Sequence, residues 1–227
     1  MIKTPVIVIN YKVYSTSFST SALSIAKAAE EVSINTGVNI IVAPPATEIR
    51  TLASNVSIPV YAQHVDPVDL GAYTGHIPPE AVKEAGAKGF IINHSERRIR
   101  VDEIAKLVIK ARDLRLNTLV CADTPEVATA LAVLNPDMIA IEPPELIGTG
   151  IAVSKAKPEI ILNTVSRIRS INNNVIILTG AGISTPEDVV KALELGTLGV
   201  LVSSAIMKAK DPKKVINDMA EAAIGRK

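Results

Sequence analysis

The chain has 227 residues, of which 48% are hydrophobic and 21% are charged, and its formal net charge is +1. With four Tyr, two Phe and no Trp, it lacks both the basic surface and the aromatic side chains of a nucleic-acid-binding protein. The single cysteine, Cys121, excludes an internal disulfide framework, and no apolar stretch suits a bilayer span or a signal peptide. We therefore expect a cytoplasmic globular protein that acts on a small molecule or on another protein, with no nucleic-acid or membrane partner.

Short apolar runs rich in Val and Ile recur at a nearly regular interval along the chain. Such runs are apolar on both faces, which is typical of parallel strands covered on both sides. They are Val6–Ile9, Ile40–Ala43, Pro59–Ala62, Gly89–Ile92, Thr118–Cys121, Met138–Ile141, Val175–Leu178 and Gly199–Val202.

The intervals between these runs carry helical patterns. Predicted buried faces comprise Leu23, Ala26, Ala29 and Val32, then Ile104, Leu107, Val108 and Ala111, then Ile160, Thr164, Ile168 and Ile171. Thr124, Thr185 and Asp211 each precede a proline, which predicts a helix start at the following residue. Gly196 predicts a helix end.

Alternating strands and helices without a linker indicate either a closed parallel barrel or a doubly wound sheet. A dinucleotide-binding sheet requires a glycine-rich turn after the first strand, and this chain has Asn10-Tyr11-Lys12-Val13 there. The sequence thus favours an α/β protein with a single (β/α)8 barrel domain over residues 1–227.

In such a barrel, functional side chains lie where the strands end. Lys12, His94 and Glu142 follow three different strands, and Gly182 and Ser203-Ser204 follow the last two. A carboxylate that abstracts a proton, an imidazole that polarises a carbonyl and an ammonium that neutralises charge suit proton transfer on an anionic substrate. We expect Cys121 to be a core residue with no nearby base, and no metal to be bound. We expect His64 and His76 either to be structural or to support site residues without touching the substrate.

Several motifs occur in the same order as in the triosephosphate isomerase family, and the chain resembles that family over nearly its whole length. The motifs are Asn10-Tyr11-Lys12, Ala62-Gln63 followed by Gly71–Gly75, His94-Ser95-Glu96-Arg97-Arg98, and Glu142-Pro143 followed by Ile147–Gly150. The chain departs from the common pattern of that family at Pro144-Glu145 in the loop after Glu142, at Gly180-Ala181-Gly182 and at Ser203-Ser204. These features resemble the compact archaeal branch of the family.

The resemblance implies interconversion of dihydroxyacetone phosphate and glyceraldehyde 3-phosphate, in glycolysis and gluconeogenesis, without a cofactor. It implies that Glu142 is the general base, that His94 is a neutral electrophile and that Glu96 holds Lys12 or its loop. Lys12 supplies positive charge and Asn10 positions the substrate. The phosphate contacts implied are Ile147, Gly148, Gly182, Ser203 and Ser204, with Pro143–Gly150 as a lid. The resemblance also implies self-association as a dimer or tetramer through Val65–Ile77.

Two other functions remain open at this stage. A Schiff-base aldolase acting on a phosphorylated sugar needs a desolvated lysine at a strand end, and Lys12 is the candidate. A non-catalytic binder of a phosphate ligand needs only the fold and the glycine- and serine-rich turns.

Overall fold

The computed structural model of the chain describes residues 2–143 and 152–225, and in them it shows a parallel (β/α)8 barrel. The strands are β1 (Val6–Asn10), β2 (Asn39–Ala43), β3 (Tyr61–Ala62), β4 (Gly89–Ile92), β5 (Asn117–Ala122), β6 (Met138–Ile141), β7 (Ile176–Thr179) and β8 (Gly199–Val202). They form one sheet in the order β2-β1-β8-β7-β6-β5-β4-β3. Each predicted strand is therefore found, with shifts at its ends.

The barrel closes between β2 and β3, where the pairing is short. Val42 forms an isolated parallel bridge with Val60, and the Val42 N–H donates to the Pro59 carbonyl at 3.1 Å. The regular part of β3 has only two residues, whereas the sequence predicts a strand over Pro59–Ala62. Pro59 has no N–H for a ladder, so the first half of the predicted strand pairs only through its carbonyl groups and this bridge.

Helices connect the strands and cover the outside of the sheet. They are α1 (Ser19–Thr36), α2 (Ile49–Ala53), α3 (Pro79–Glu84), α4 (Val101–Leu114), α5 (Pro125–Ala132), α6 (Val153–Ala156), α7 (Pro158–Arg169), α8 (Pro186–Glu194), α9 (Ser204–Met207) and α10 (Pro212–Ala223). The three predicted proline starts are confirmed, because the side chains of Thr124, Thr185 and Asp211 each accept an N–H from the first turn. Among the described residues, no helix is both long and apolar enough to cross a bilayer.

The predicted helix faces are confirmed to different degrees. All four predicted residues of α4 are buried. In α1, Leu23 is half-buried, and Ala22 and Ile25 take its place in the core. In α7, Thr164 and Ile168 are buried as predicted, but Ile161 is buried rather than Ile160. The predicted Ile171 lies beyond the end of α7 and is 49% exposed. The predicted α1 face follows steps of three and the predicted α7 face mostly steps of four, and both drift around a helix of 3.6 residues per turn.

Two apolar layers hold the barrel together. Side chains from alternate strand positions, such as Val8, Ile91 and Leu119, fill the barrel interior. The remaining strand residues pack outward against the helices in a larger core. Because both faces of each strand are buried, the strand ends are fixed in space, and the loops that follow them begin from a rigid frame.

Candidate active site

A small cavity of about 50 Å³ lies at the carboxyl ends of the strands. It brings together most of the residues predicted from the sequence as site residues. The predicted residues that line it are Asn10, Lys12, His94, Glu142, Gly182, Ser203 and Ser204. Five strand ends therefore converge on one point, as the barrel topology predicts.

Lys12 is held in this cavity by its backbone and by its side chain. Its φ of 49° is in the left-handed region, which costs a residue with a Cβ roughly 1–2 kcal/mol. Its N–H donates to Asn10 Oδ1 at 3.0 Å, and its carbonyl accepts from Gln63 Nε2 at 2.9 Å. The ammonium lies 2.7 Å from Glu96 Oε1. Since its side chain is only 16% exposed, the charge is directed into the cavity rather than into bulk water.

His94 faces Glu142 across the cavity, with 3.4 Å between Nε2 and Oε1. The Glu96 N–H donates to the other ring nitrogen, Nδ1, at 3.1 Å, so Nδ1 carries a lone pair and the proton of a neutral ring lies on Nε2. Burial lowers the pKa of His94, but contact with the negative charge of Glu142 raises it, and the net direction is upward. In the neutral ring, Nε2–H is a donor directed into the site.

The Glu142 carboxylate is almost completely buried. Its Oε2 has no hydrogen-bond partner within the described part of the chain, an arrangement that is unfavourable for a structural carboxylate and suits a base awaiting a proton. A Cβ at position 180 would lie 2.5 Å from Glu142 Cγ, so only glycine leaves room for this side chain.

The surroundings of Cys121 correct one sequence-based expectation. Cys121 is buried in the core as predicted, but it does have a nearby base, the carboxylate of Glu142. Burial and this carboxylate raise the pKa of the thiol. The sequence pattern missed the contact because Cys121 lies near the end of β5 whereas Glu142 follows the neighbouring strand, β6.

The opposite wall of the cavity is built from the ends of β7 and β8. Gly182 has a φ of 73°, a conformation that favours glycine, and its carbonyl accepts from Ser184 Oγ at 3.0 Å. Ser203 precedes α9, and its buried Oγ has no partner among the described residues. The first N–H groups of a helix have no partner within it, so Ser204 at the start of α9 presents a donor toward an anion.

Comparison with known proteins agrees with this geometry. The profile of the family described as "Triosephosphate isomerase" matches residues 5–222. A curated relative from Caldivirga maquilingensis named triosephosphate isomerase is 51% identical over 224 residues, which covers 99% of this chain and all of the relative. A relative of the same name from Saccharolobus solfataricus is 50% identical over 222 residues, covering 98% of this chain and 97% of the relative.

The chain belongs to the triosephosphate isomerase family. Of the residues that this resemblance predicted, Glu96 lies beside the cavity and pairs with Lys12. Ile147, Gly148 and most of the predicted lid lie outside the described residues. Within the described part of the chain, no group of three or more His, Cys, Asp or Glu side chains is arranged to hold a metal ion.

The structure also adds lining residues that the sequence pattern did not indicate. Tyr14, Ile183 and Ser184 line the cavity without belonging to a quoted motif. Tyr14 lies under the Lys208 ammonium, 5.1 Å from the ring centroid, and Thr16 Oγ1 donates to the Met207 carbonyl at 2.8 Å. These contacts tie the loop after β1 to the end of α9. They join residues nearly two hundred positions apart, so no local signal could reveal them.

His64 makes a structural contact near the same end of the barrel. Its Nε2 lies 3.1 Å from Asp66 Oδ1, which also accepts from Arg97 Nη2 at 3.2 Å. Burial lowers the pKa of His64, which favours the neutral ring. His64 thus connects the loop after β3 to Arg97 rather than entering the cavity.

Proposed function

We propose that this chain is a triosephosphate isomerase, interconverting dihydroxyacetone phosphate and D-glyceraldehyde 3-phosphate by proton transfer. The observation that carries the proposal is the pairing of the buried, partly unpartnered Glu142 carboxylate with His94 Nε2, 3.4 Å apart, beside the Lys12 ammonium. A base, a hydrogen-bond donor and a cation in one small cavity are the groups needed to form and stabilise an enediolate.

The reaction begins when Glu142 removes a proton from C1 of dihydroxyacetone phosphate. The electron pair of the C–H bond forms a C1–C2 double bond, and the carbonyl oxygen on C2 takes up negative charge. His94 donates its Nε2–H to that oxygen, and Lys12 stabilises the charge. The C1 hydroxyl proton is then transferred to the oxygen on C2, and Glu142 returns its proton to C2. The product is glyceraldehyde 3-phosphate, and the enzyme is regenerated.

The phosphate group is assigned to the wall formed by the ends of β7 and β8. Backbone N–H groups at Gly182, Ser203 and Ser204 act as its donors, supported by the start of α9 and by the unpartnered Ser203 hydroxyl. Ile147 and Gly148 remain phosphate contacts on the resemblance alone. Asn10 Oδ1 accepts the Lys12 N–H and so fixes the position of the Lys12 backbone.

The aldolase alternative is less well supported. A Schiff base forms on a free amine, whereas the Lys12 amine is engaged by Glu96 at 2.7 Å. Borohydride treatment with dihydroxyacetone phosphate distinguishes the two, since an isomerase leaves no adduct on Lys12.

A coupled assay in both directions, with Glu142→Gln, Glu142→Asp and His94→Gln, tests the isomerase proposal. Loss of a general base lowers turnover by about 10²–10⁴-fold, and retracting the carboxylate by ~1 Å lowers it on the order of 10²-fold. His94→Gln lowers turnover while affinity for a phosphate-containing analogue changes little. A folded Glu142→Gln protein with wild-type turnover contradicts the assignment of Glu142 as the general base. A wild-type protein that binds the analogue but shows no turnover indicates a non-catalytic binding protein.

We further propose that the chain self-associates through Val65–Ile77. The segment is pre-formed, because the Asp66 and Ile77 backbones bond at 2.8 Å and the Ile77 N–H donates to Asp66 Oδ2 at 2.7 Å. It nevertheless exposes two large apolar side chains, with Leu70 71% and Tyr73 48% exposed.

Light scattering tests the interface. We expect a mass of two or four chains for the wild type and of one or two for Leu70→Asp. Ile34→Asp, a matched change at a side chain that is 72% exposed on α1, leaves the mass unchanged. Equal effects of the two substitutions argue against this interface.

Because glycolysis is a cytoplasmic pathway, we place the enzyme in the cytoplasm, which cell fractionation tests.

A further inference from the structure

The opposite end of the barrel holds a second polar cavity. It has a volume of about 370 Å³ and is lined by residues at the amino ends of the strands. Lys3 precedes β1, Lys88 precedes β4, and Arg115 precedes β5. Asn39, Tyr61 and Asn117, the first residues of β2, β3 and β5, also line it. We call these six residues the basal cluster, and none of them belongs to the catalytic end.

The three cations of the basal cluster have no ion-pair partner among the described residues. Within residues 2–143 and 152–225, no carboxylate lies within 4.0 Å of the charged nitrogens of Lys3, Lys88 or Arg115. The acidic group that faces Tyr61 is Asp137. Its oxygens already accept from the Thr118 N–H at 2.8 Å, from Thr118 Oγ1 at 3.1 Å and from Asn117 Nδ2 at 3.2 Å. Three cations therefore line the cavity, while the Asp137 carboxylate keeps its charge and is engaged by Thr118 and Asn117.

The hydroxyl group of Tyr61 contributes a donor to the same cavity. The Tyr61 side chain as a whole is 1% exposed, and its hydroxyl makes no hydrogen bond to another described residue. The hydroxyl does not belong to the fully buried polar atoms, so it opens onto the cavity and is available to a ligand. Burial and the charge of Asp137 raise the pKa of Tyr61, so the group remains a protonated donor at every physiological pH.

The position of Tyr61 depends on a glycine in the neighbouring strand. A Cβ at position 89 would lie 2.7 Å from Tyr61 Cζ and 2.5 Å from the Asn117 carbonyl oxygen. Gly89 therefore gives the end of the tyrosine ring room at the mouth of the barrel. Gly89 is the first residue of β4, where glycine also lets the backbone of β5 approach closely.

Arg115 reaches the cavity from a strained backbone. It follows the end of α4 with a φ of 56°, a position where glycine is the usual residue. An arginine here costs roughly 1–2 kcal/mol of backbone strain. Its planar guanidinium group, in return, offers a fork of donors that matches phosphate and carboxylate oxygens.

From these observations we propose that the basal cluster binds a small, multiply charged oxyanion, such as an organic phosphate or a polycarboxylate. Lys3, Lys88 and Arg115 neutralise its charge, and Tyr61 donates a hydrogen bond from the floor of the cavity. The volume of about 370 Å³ accommodates a ligand of several heavy atoms. This site lies at the other end of the strands from the catalytic cavity, and its existence does not depend on the proposed isomerase activity.

Titration calorimetry with inorganic pyrophosphate and, separately, with citrate tests the proposal. All proteins carry Lys12→Met, which weakens anion binding at the catalytic end. Arg115→Gly removes the guanidinium at a backbone position that glycine prefers, and Tyr61→Phe removes only the hydroxyl. The matched control is Arg112→Gln, which removes the same charge from the last turn of α4 at a residue that does not line this cavity.

We expect Arg115→Gly to weaken binding about tenfold or more, because it removes a charge-assisted contact. Tyr61→Phe weakens it about fivefold, as one neutral hydrogen bond is lost. Arg112→Gln changes it less than about twofold, because exposed charges contribute little. Tighter binding of pyrophosphate than of citrate identifies phosphate as the preferred group. Equal effects of the two arginine substitutions, or no binding of either anion at millimolar concentration, overturn the proposal.

Discussion

The two ends of the barrel hold their charged groups in opposite ways. At the carboxyl end, Lys12 pairs with Glu96 at 2.7 Å and His94 faces Glu142 at 3.4 Å, all around a cavity of about 50 Å³. At the amino end, Lys3, Lys88 and Arg115 surround a wider cavity and have no carboxylate within 4.0 Å in the described part of the chain. Paired, buried groups have fixed positions, which proton transfer requires. Exposed, unpaired cations supply charge without fixed geometry, which suffices for binding.

The two ends of the barrel also differ in how their strained backbone positions are supported. Lys12 and Asn93 at the carboxyl end and Arg115 at the amino end all have a φ near 50–60°. Asn93 is fixed further by two bonds, from its Nδ2 to the Cys121 carbonyl at 2.9 Å and from the Ile99 N–H to its Oδ1 at 3.2 Å. Strain at the carboxyl end is thus supported by neighbouring side chains, as expected where a reaction depends on it. Within the described part of the chain, no side chain supports Arg115 in this way.

Among the substitutions that test the difference between the two ends, Lys12→Met is expected to lower turnover most. The substitution removes the cation from the catalytic cavity while the side chain keeps a similar length and the same backbone strain. Because the ammonium stabilises charge that develops during the reaction, we expect turnover to fall about 10²–10³-fold and kcat/KM to fall further. Steady-state kinetics in both directions measure the effect.

Removal of an equivalent charge at the other end is the control for Lys12→Met. Lys88→Met leaves turnover within about twofold of the wild type, because an exposed lysine far from the reaction has little influence on it. A rise in KM with unchanged kcat in Lys12→Met indicates that Lys12 only binds substrate.

Gly180→Ala is expected to have the next largest effect. The new Cβ would lie 2.5 Å from Glu142 Cγ, so the carboxylate must move. A displacement of ~1 Å lowers turnover on the order of 10²-fold. The same clash lowers thermal stability, and that loss disappears in a Glu142→Ala background, where no Cγ is present. If Gly180→Ala destabilises both backgrounds equally, the clash with Glu142 is not the cause.

Much of the fold could be predicted from the sequence, because strands buried on both faces leave a strong apolar signal. The helix faces were predicted less accurately: Leu23 and Ile160 satisfy the pattern, but Ile25 and Ile161 are the buried residues. Motif resemblance singled out candidate catalytic residues, and the structure places Asn10, Lys12, His94 and Glu142 around one cavity. The motif resemblance could not predict the room that Gly180 leaves for Glu142, since that contact depends on how two strands lie beside each other.

A smaller effect is expected from Gln63→Leu, which tests whether support of the strained Lys12 backbone matters. Gln63 Nε2 donates to the carbonyls of Lys12 and Ala43, both at 2.9 Å. Leucine fills similar space without donating, so we expect a loss of about 1–3 kcal/mol in unfolding free energy. Turnover falls about tenfold if Lys12 shifts as a result. Urea unfolding and kinetics separate the two effects, and reduced stability with unchanged turnover assigns Gln63 a purely structural role.

The smallest effect concerns Arg115→Gly at the amino end. Glycine adopts a φ of 56° without strain, which relieves roughly 1–2 kcal/mol, but it also makes the unfolded chain more flexible by roughly 0.5–1 kcal/mol. We therefore expect the unfolding free energy to rise by about 0.5 kcal/mol while turnover stays unchanged, as measured by urea unfolding and the coupled assay. Added pyrophosphate stabilises the wild type more than the variant, because only the wild type keeps the guanidinium. A less stable Arg115→Gly protein without added anion would mean that the arginine side chain, despite its strained backbone, stabilises the fold itself.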